Sequence, residues 1–311
     1  MRQSRAMLYA VVAFFVWVLV DTGIKLASRV SLSPFAIMGT LGAVGACGSV
    51  VMAWRKHELP ALRPRHWREQ SVICLCSLIV NYCIVVSLKH LPLTVYYIII
   101  FTEPLAVAFF ASLIKQEKLT GVKIGCLTAG FLGVVLAIGT KGLGGGEWIG
   151  YTAAFISVGA FVGYTIAMRH IAANATVENL LLPPFLTVGL VGFAGVVREG
   201  GFSLNAAIAV VVAAALLNLV ANFLYNKALQ VTVATNVMQL HYTQIVWGAI
   251  IGYAIWGEKP TWNLIAGSAI IIASGLVVAT QAHRAEIPEQ EKALAESEAL
   301  GLRVKEALSK K

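Results

Sequence analysis

An all-α membrane protein of ten transmembrane helices, arranged as two inverted five-helix repeats, is the fold class this sequence predicts. Three observations carry that reading. The chain is 58% hydrophobic and only 13% charged, far below the soluble average of about 25% charged, and its mean hydropathy is +0.78. Its apolar residues gather into runs of roughly 20, long enough to cross a bilayer as helices. Finally, residues 94–118, TVYYIIIFTEPLAVAFFASLIKQEK, return altered as residues 235–259, TNVMQLHYTQIVWGAIIGYAIWGEK, at a constant offset of 141 (Glu258 against Glu117). The matches include polar residues: Asn81/Asn222, Thr94/Thr235, Thr102/Thr243, Glu117/Glu258 and Lys118/Lys259 all hold the offset without a gap. Chance similarity between apolar segments does not align polar side chains in this way.

The spans read as 6–28, 34–53, 69–88, 92–113, 121–140, 147–169, 178–198, 205–226, 232–255 and 261–281. The first follows Arg2 and Arg5 and is too long for a signal-peptide core, so it is expected to be a membrane helix. Gly39, Gly42, Gly45 and Gly48 step along the second span, Gly189, Gly192 and Gly195 along the seventh, and Gly121, Gly125, Ala129 and Gly133 along the fifth. Such ridges let backbones approach closely in lipid, either within one bundle or between the copies of a homodimer. The glycine-rich residues 142–146 join two apolar runs and read as the hinge between halves, not as a phosphate cradle. The expected units are therefore 1–145, 146–281 and a charged tail, 282–311, rich in Ala, Leu, Glu and Lys. Five helices per half force the second half to enter the membrane the opposite way.

A net charge of +9 could suggest nucleic acid, but the basic residues sit in short clusters between apolar runs, which speaks against that partner. With the N-terminus inside, Arg2, Arg5, Arg55, Lys56, Arg63, Arg65, Arg68, Lys115, Lys118, Lys123, Arg169 and Lys227 share the cytoplasmic side, against Lys25, Arg29, Lys89, Lys141, Arg198 and Lys259 opposite. That bias predicts cytoplasmic N- and C-termini. Cys47, Cys74, Cys76, Cys83 and Cys126 all lie in apolar runs without a partner at metal-ligand or redox spacing, so neither a metal site nor a disulfide framework is expected. No phosphate-binding loop and no HExxH is present, and no catalytic residues or cofactor are expected.

Ionisable residues at bilayer depth are costly, so each is a functional candidate. Glu103 lies in the fourth span beside Pro104, and its repeat equivalent is Gln244; Ile100, one turn earlier, corresponds to His241. Glu103 reads either as a proton or substrate coupling group or as a buried structural hydrogen bond, and His241 either as a ligand or as a packed donor. Asn81 and Asn222 form a second symmetric pair, acting as interhelical glue or as a cavity wall. Trp17, Tyr82, Tyr97 and Tyr164 fall inside spans, away from the interface where such residues usually collect, and aromatic walls suit a substrate with a flat or cationic part. Trp17, Asp21 and Lys25 share one face of the first span; Asp21 and Lys25 read as a self-neutralising pair or as an outer gate.

The fourth and ninth spans each end in Glu-Lys before a helix-start loop, QEKLTGVKIG and GEKPTWNLIAG. With LKHLPLTVYYIIIFTEPLAVAFF and its counterpart LQVTVATNVMQLHYTQIVWGAIIGYAIWGEK, these resemble the EamA-type drug/metabolite transporter superfamily over residues 6–281. The second copy departs from the pattern where Ile245 replaces the expected proline, and HYTQIVW looks like a branch that includes S-adenosylmethionine-type carriers. The resemblance implies secondary transport across the bacterial inner membrane, often export; together with the residues above, the expectation is a carrier for a small amphipathic metabolite in which Glu103 binds or couples a proton. Uptake or exchange is the alternative direction. From the residues alone, a non-transporting assembly protein or an intramembrane enzyme built on Glu103 and His241 stays open.

Overall fold

The computed structural model describes residues 2–28, 32–63, 66–91, 96, 99–114, 120–138, 147–201, 206–256, 262–263, 265–277 and 280. The tail 282–311, the linker 142–146 and Tyr97 lie outside the described residues, as does the side chain of Lys25. In chain order the helices are α1 (Arg2–Ser28), α2 (Pro34–Arg55), α3 (Trp67–His90), α4 (Glu103–Leu113), α5 (Gly121–Ile138), α6 (Trp148–Ala172), α7 (Val177–Arg198), α8 (Ala206–Val231), α9 (Ala234–Gln239), α10 (Gln244–Trp256) and α11 (Ile265–Val277). Among the described residues, six of these helices contain stretches long and apolar enough to cross a membrane: α1, α2, α3, α6, α7 and α8. The other expected spans are represented by shorter apolar helices. α2 and α7 start as their sequences dictate, with Ser33 and Thr176 side chains accepting the N–H of Phe35 and Asn179 and with Pro34 at the first helical position.

Helix pairing follows the repeat. α1 packs along α8, α3 along α6, and α2 along α7. Exchanging the halves turns the first pair into the second and returns the third to itself, as a two-fold relation between inverted repeats requires. The α2–α7 crossing is made by the glycines: a methyl on Gly42 would lie 2.1 Å from the Gly189 nitrogen, and one on Gly192 2.2 Å from the Gly39 nitrogen. These two ridges therefore pack against each other inside the bundle. The expected ridge on α5 is split. Gly133 lies against Gly267 and Ile271, whereas Gly121 and Gly125 have nothing within 4 Å among the described residues.

The fourth and ninth spans, expected to be continuous, are both interrupted, and at equivalent positions. The chain makes a turn at residues 101–102 before α4 begins at Glu103, and a 3-10 turn, Leu240–Thr243, before α10 begins at Gln244. Pro104 explains only the first break, since it cannot donate to a carbonyl one turn back. Both breaks share a different device: Thr102 Oγ1 donates to the Ile99 carbonyl and Thr243 Oγ1 to the Leu240 carbonyl, each at 2.6 Å. A hydroxyl that takes a backbone carbonyl competes with the helix ladder at that point, so Ile245 in the second copy does not restore a straight helix.

Candidate functional site

A cavity of about 160 Å³ lies where the interrupted helices meet, with room for several water molecules. Its walls come from α1 (Trp17, Val20, Asp21, Ile24), α3 (Ser77, Asn81, Ile84), the fourth span (Tyr96, Ile100, Glu103), α6 (Phe161, Tyr164), α8 (Asn218, Asn222) and the ninth span (His241, Gln244). Both members of five repeat pairs face it: Val20/Phe161, Ser77/Asn218, Asn81/Asn222, Ile100/His241 and Glu103/Gln244. The cavity therefore sits on the relation that exchanges the two halves.

Position along each helix places the cavity in one half of the bundle. On α1 it begins at Trp17, and on α3 at Ser77; none of the earlier residues of either helix reaches it. The opposite half is filled by Ala6, Ala10, Phe14, Ile171, Leu180, Tyr225 and Leu229, all buried. That same half is tied by polar contacts. Lys56 Nζ lies 2.5 Å from Glu178, whose carboxylate is only 2% exposed. Asn179 accepts from Gln70 Nε2 at 2.6 Å and donates to the carbonyls of Ala61 and Arg63. Arg169 donates to the Leu229 carbonyl and Gln230 to that of Ala175. On the cavity side the ends of the helices meet through exposed groups, Ser33 with Glu199 and His90 with Glu147.

Glu103 and His241 are both buried, and the Glu103 carboxylate approaches His241 Nδ1 to 3.6 Å, beyond hydrogen-bonding distance but close enough for a charge on either group to act on the other. The imidazole is stacked on Phe14 at 4.9 Å and has Phe101 at its edge, 5.5 Å away. Gln244 donates from Nε2 to the Phe14 carbonyl at 3.4 Å. From the fourth span, Tyr96, Ile100 and Glu103 all line the cavity across the break at 101–102.

The asparagines repeat one motif. Asn81 Nδ2 donates to the Ser77 carbonyl at 2.8 Å, and Asn222 Nδ2 to the Asn218 carbonyl at 2.9 Å. Trp17 Nε1 donates across to Asn218 Oδ1 at 3.1 Å, which also accepts from Asn222 Nδ2 at 2.9 Å. Trp17, Asn81, Tyr164, Asn222, His241, Gln244, Glu103 and Asp21 all line the cavity. Tyr82 does not: it is 45% exposed, on the flank of α3 toward Phe35, because one residue after Asn81 the helix has turned about 100°. Asn218 and Tyr96 also line the cavity, as do Ser77 and Phe161, which the sequence did not single out.

A multi-pass helical bundle with duplicated halves and a polar cavity on their symmetry relation is a membrane transporter architecture. The profile of the EamA-like transporter family matches residues 4–139 and again residues 148–280, so the chain belongs to that family and carries two EamA domains. The family comprises transporters rather than enzymes, and its members act on small molecules. A solved structure described only as "Crystal structure of protein" superposes with a TM-score of 0.78 over 90% of this chain and 98% of its own, at 18% identity, which shows a shared fold. A search of curated proteins found no match.

Proposed function

We propose that this chain is a secondary carrier for a small amphipathic metabolite, working by alternating access of its two halves, residues 1–145 and 146–281. The observation that supports it is the cavity lined by both members of five repeat pairs. A site shared by two inverted halves is one that either half can uncover by rocking against the other. Asn81, Asn222 and Gln244 hold polar groups of the substrate, while Trp17 and Tyr164 supply its apolar walls. Glu103 and His241 form the coupling pair, with Glu103 taking up or releasing a proton as the cavity changes sides. With both termini in the cytoplasm of a bacterial inner membrane, the packed and bonded half faces inward and the cavity faces out. The working direction is export.

Counterflow tests this reading. Proteoliposomes are loaded with pooled amino acids, nucleosides and methylated cofactors, and uptake of labelled members of each pool is followed. Exchange with one pool is expected, above protein-free vesicles. Absence of exchange with every pool, from protein that remains monodisperse, removes the carrier reading for these substrates and favours an assembly role.

A further inference from the structure

Away from the cavity, two ammonium groups converge on one aromatic ring. Lys56 Nζ lies 5.9 Å from the centroid of Phe223, and Lys227 Nζ 5.8 Å from the same point. Like charges held this close repel unless something negative offsets them. Glu178 offsets one of the two, since it lies 2.5 Å from Lys56 and is buried there. Lys227 makes no ion pair among the described residues, and it is partly buried. One positive charge at this place is left without an anion.

Below the two cations the surface is apolar. Gly48, Met52 and Lys56 follow at four-residue steps on α2, and Leu219, Phe223 and Lys227 do the same on α8. Each helix therefore shows one face that is apolar for two turns and then cationic. The helices pack together, with Leu219 filling the space beside Gly48, and Met52, Leu219 and Phe223 remain only partly buried. Lys56 follows the last residue of α2, and Lys227 lies one turn before the end of α8. Trp54, 63% exposed, marks the same end of α2 as interface depth. The repeat supplies an internal comparison. The equivalent groove lies between α7 and α3, where Tyr82 stands for Phe223, Val86 for Lys227, Val197 for Lys56 and Ile37 for Glu178. The ring is kept in kind and all three charges are absent, so packing these helices does not require the lysines.

We propose that the groove between α2 and α8 binds an anionic phospholipid, with its phosphate between Lys56 and Lys227 and an acyl chain along Phe223, Leu219 and Met52. Basic pockets between membrane helices take anionic headgroups in this way. A phosphocholine headgroup offers the same phosphate with a cation attached, which the lysines disfavour. The site is separate from the cavity, and its occupancy does not rest on the carrier reading. The test is the thermal midpoint of the full-length protein in neutral detergent, titrated with phosphatidylglycerol, with phosphatidylcholine of the same chains, or with inorganic phosphate. Lys227 is the position to change, because removing Lys56 would also strand the buried Glu178.

Phosphatidylglycerol should raise the midpoint, half-saturating at a concentration about fivefold below phosphatidylcholine, the scale of one lysine against an anionic headgroup. Inorganic phosphate should leave the midpoint where it is. Lys227→Gln should raise the half-saturating concentration of phosphatidylglycerol about fivefold, whereas Lys227→Arg, which keeps the charge, and Lys123→Gln, on α5, should not change it. An equal response to the two lipids, or none to either, overturns the proposal. So does a rise with phosphate alone, which would mark a site for the free anion, and so does a Lys227→Gln protein that responds like the parent. Should Lys227→Gln fail to fold, the parent's preference between the two lipids decides.

Discussion

Adding one methyl group to Gly42 should damage this protein more than the same change at any lipid-facing glycine. The methyl would lie 2.1 Å from the Gly189 nitrogen and 2.4 Å from its Cα, where ordinary contact begins at 3.4 Å. Both obstructing atoms belong to a helix backbone, so no side chain can swing aside. Relieving the overlap means parting α2 and α7 by roughly an ångström along their crossing, and van der Waals contact is most of what holds helices together in lipid. Overpacking in a core costs about 1–3 kcal/mol, and a backbone obstruction belongs at the top of that range. By the usual scaling for chains of this size, about 3 kcal/mol lowers the midpoint by roughly 6 °C. Two controls bracket it. At Gly48 the added methyl meets mainly the end of the Leu219 side chain, which can rotate away, and at Gly125 it meets nothing within 4 Å. Replacing Gly125 by Ala should leave stability unchanged or raise it by about 0.5–1 kcal/mol. The assay is the monodisperse fraction surviving a series of temperatures in detergent. Equal midpoints for Gly42→Ala and Gly125→Ala would refute the close crossing.

Three further outcomes are expected. Glu103→Gln should keep the protein folded but flatten the dependence of flux on pH, because a carboxamide does not titrate; flux that still follows pH would move the coupling to His241 or Asp21, which face the same cavity. Lys56→Met should destabilise more than Glu178→Gln, since it strands a carboxylate at 2% exposure whereas Lys56, 45% exposed, can reach water; chemical denaturation in mixed micelles compares the two, and the reverse order would contradict the pairing. Tyr82→Ala should leave counterflow within about twofold of the parent, as a flank position with small effects on stability; a large loss would return Tyr82 to the site.

The offset between the halves carried most of what was legible beforehand. It paired Glu103 with Gln244 and Asn81 with Asn222, and all four meet in one cavity because equivalent positions in inverted repeats converge on their symmetry relation. The glycine ridges on α2 and α7 were legible as close-contact surfaces, but only the structure shows that they pack on each other while part of the α5 ridge has no neighbour among the described residues. Tyr82 was misjudged because composition marks a polar aromatic in a span and ignores rotation: Ser77, Asn81 and Ile84 already define the inward face of α3. Neither helix break was expected. Pro104 offers a signal for the first, but the second depends on a threonine hydroxyl turning back on its own backbone, which leaves no mark in hydropathy.

Those breaks bear on how the chain is made. α4 has 11 residues, about 17 Å of helix, and α10 has 13, about 20 Å, against a hydrocarbon core of roughly 30 Å. Neither piece can cross alone, and the first also carries a carboxyl group into the bilayer. During biosynthesis these are segments with little reason to leave the translocon for lipid, and they depend on the helices they pack against, α6 and α9 for α4 and α1 for α10, being present to receive them. Substitutions on those receiving faces should therefore lower the amount of protein reaching the membrane before they alter what the surviving molecules do.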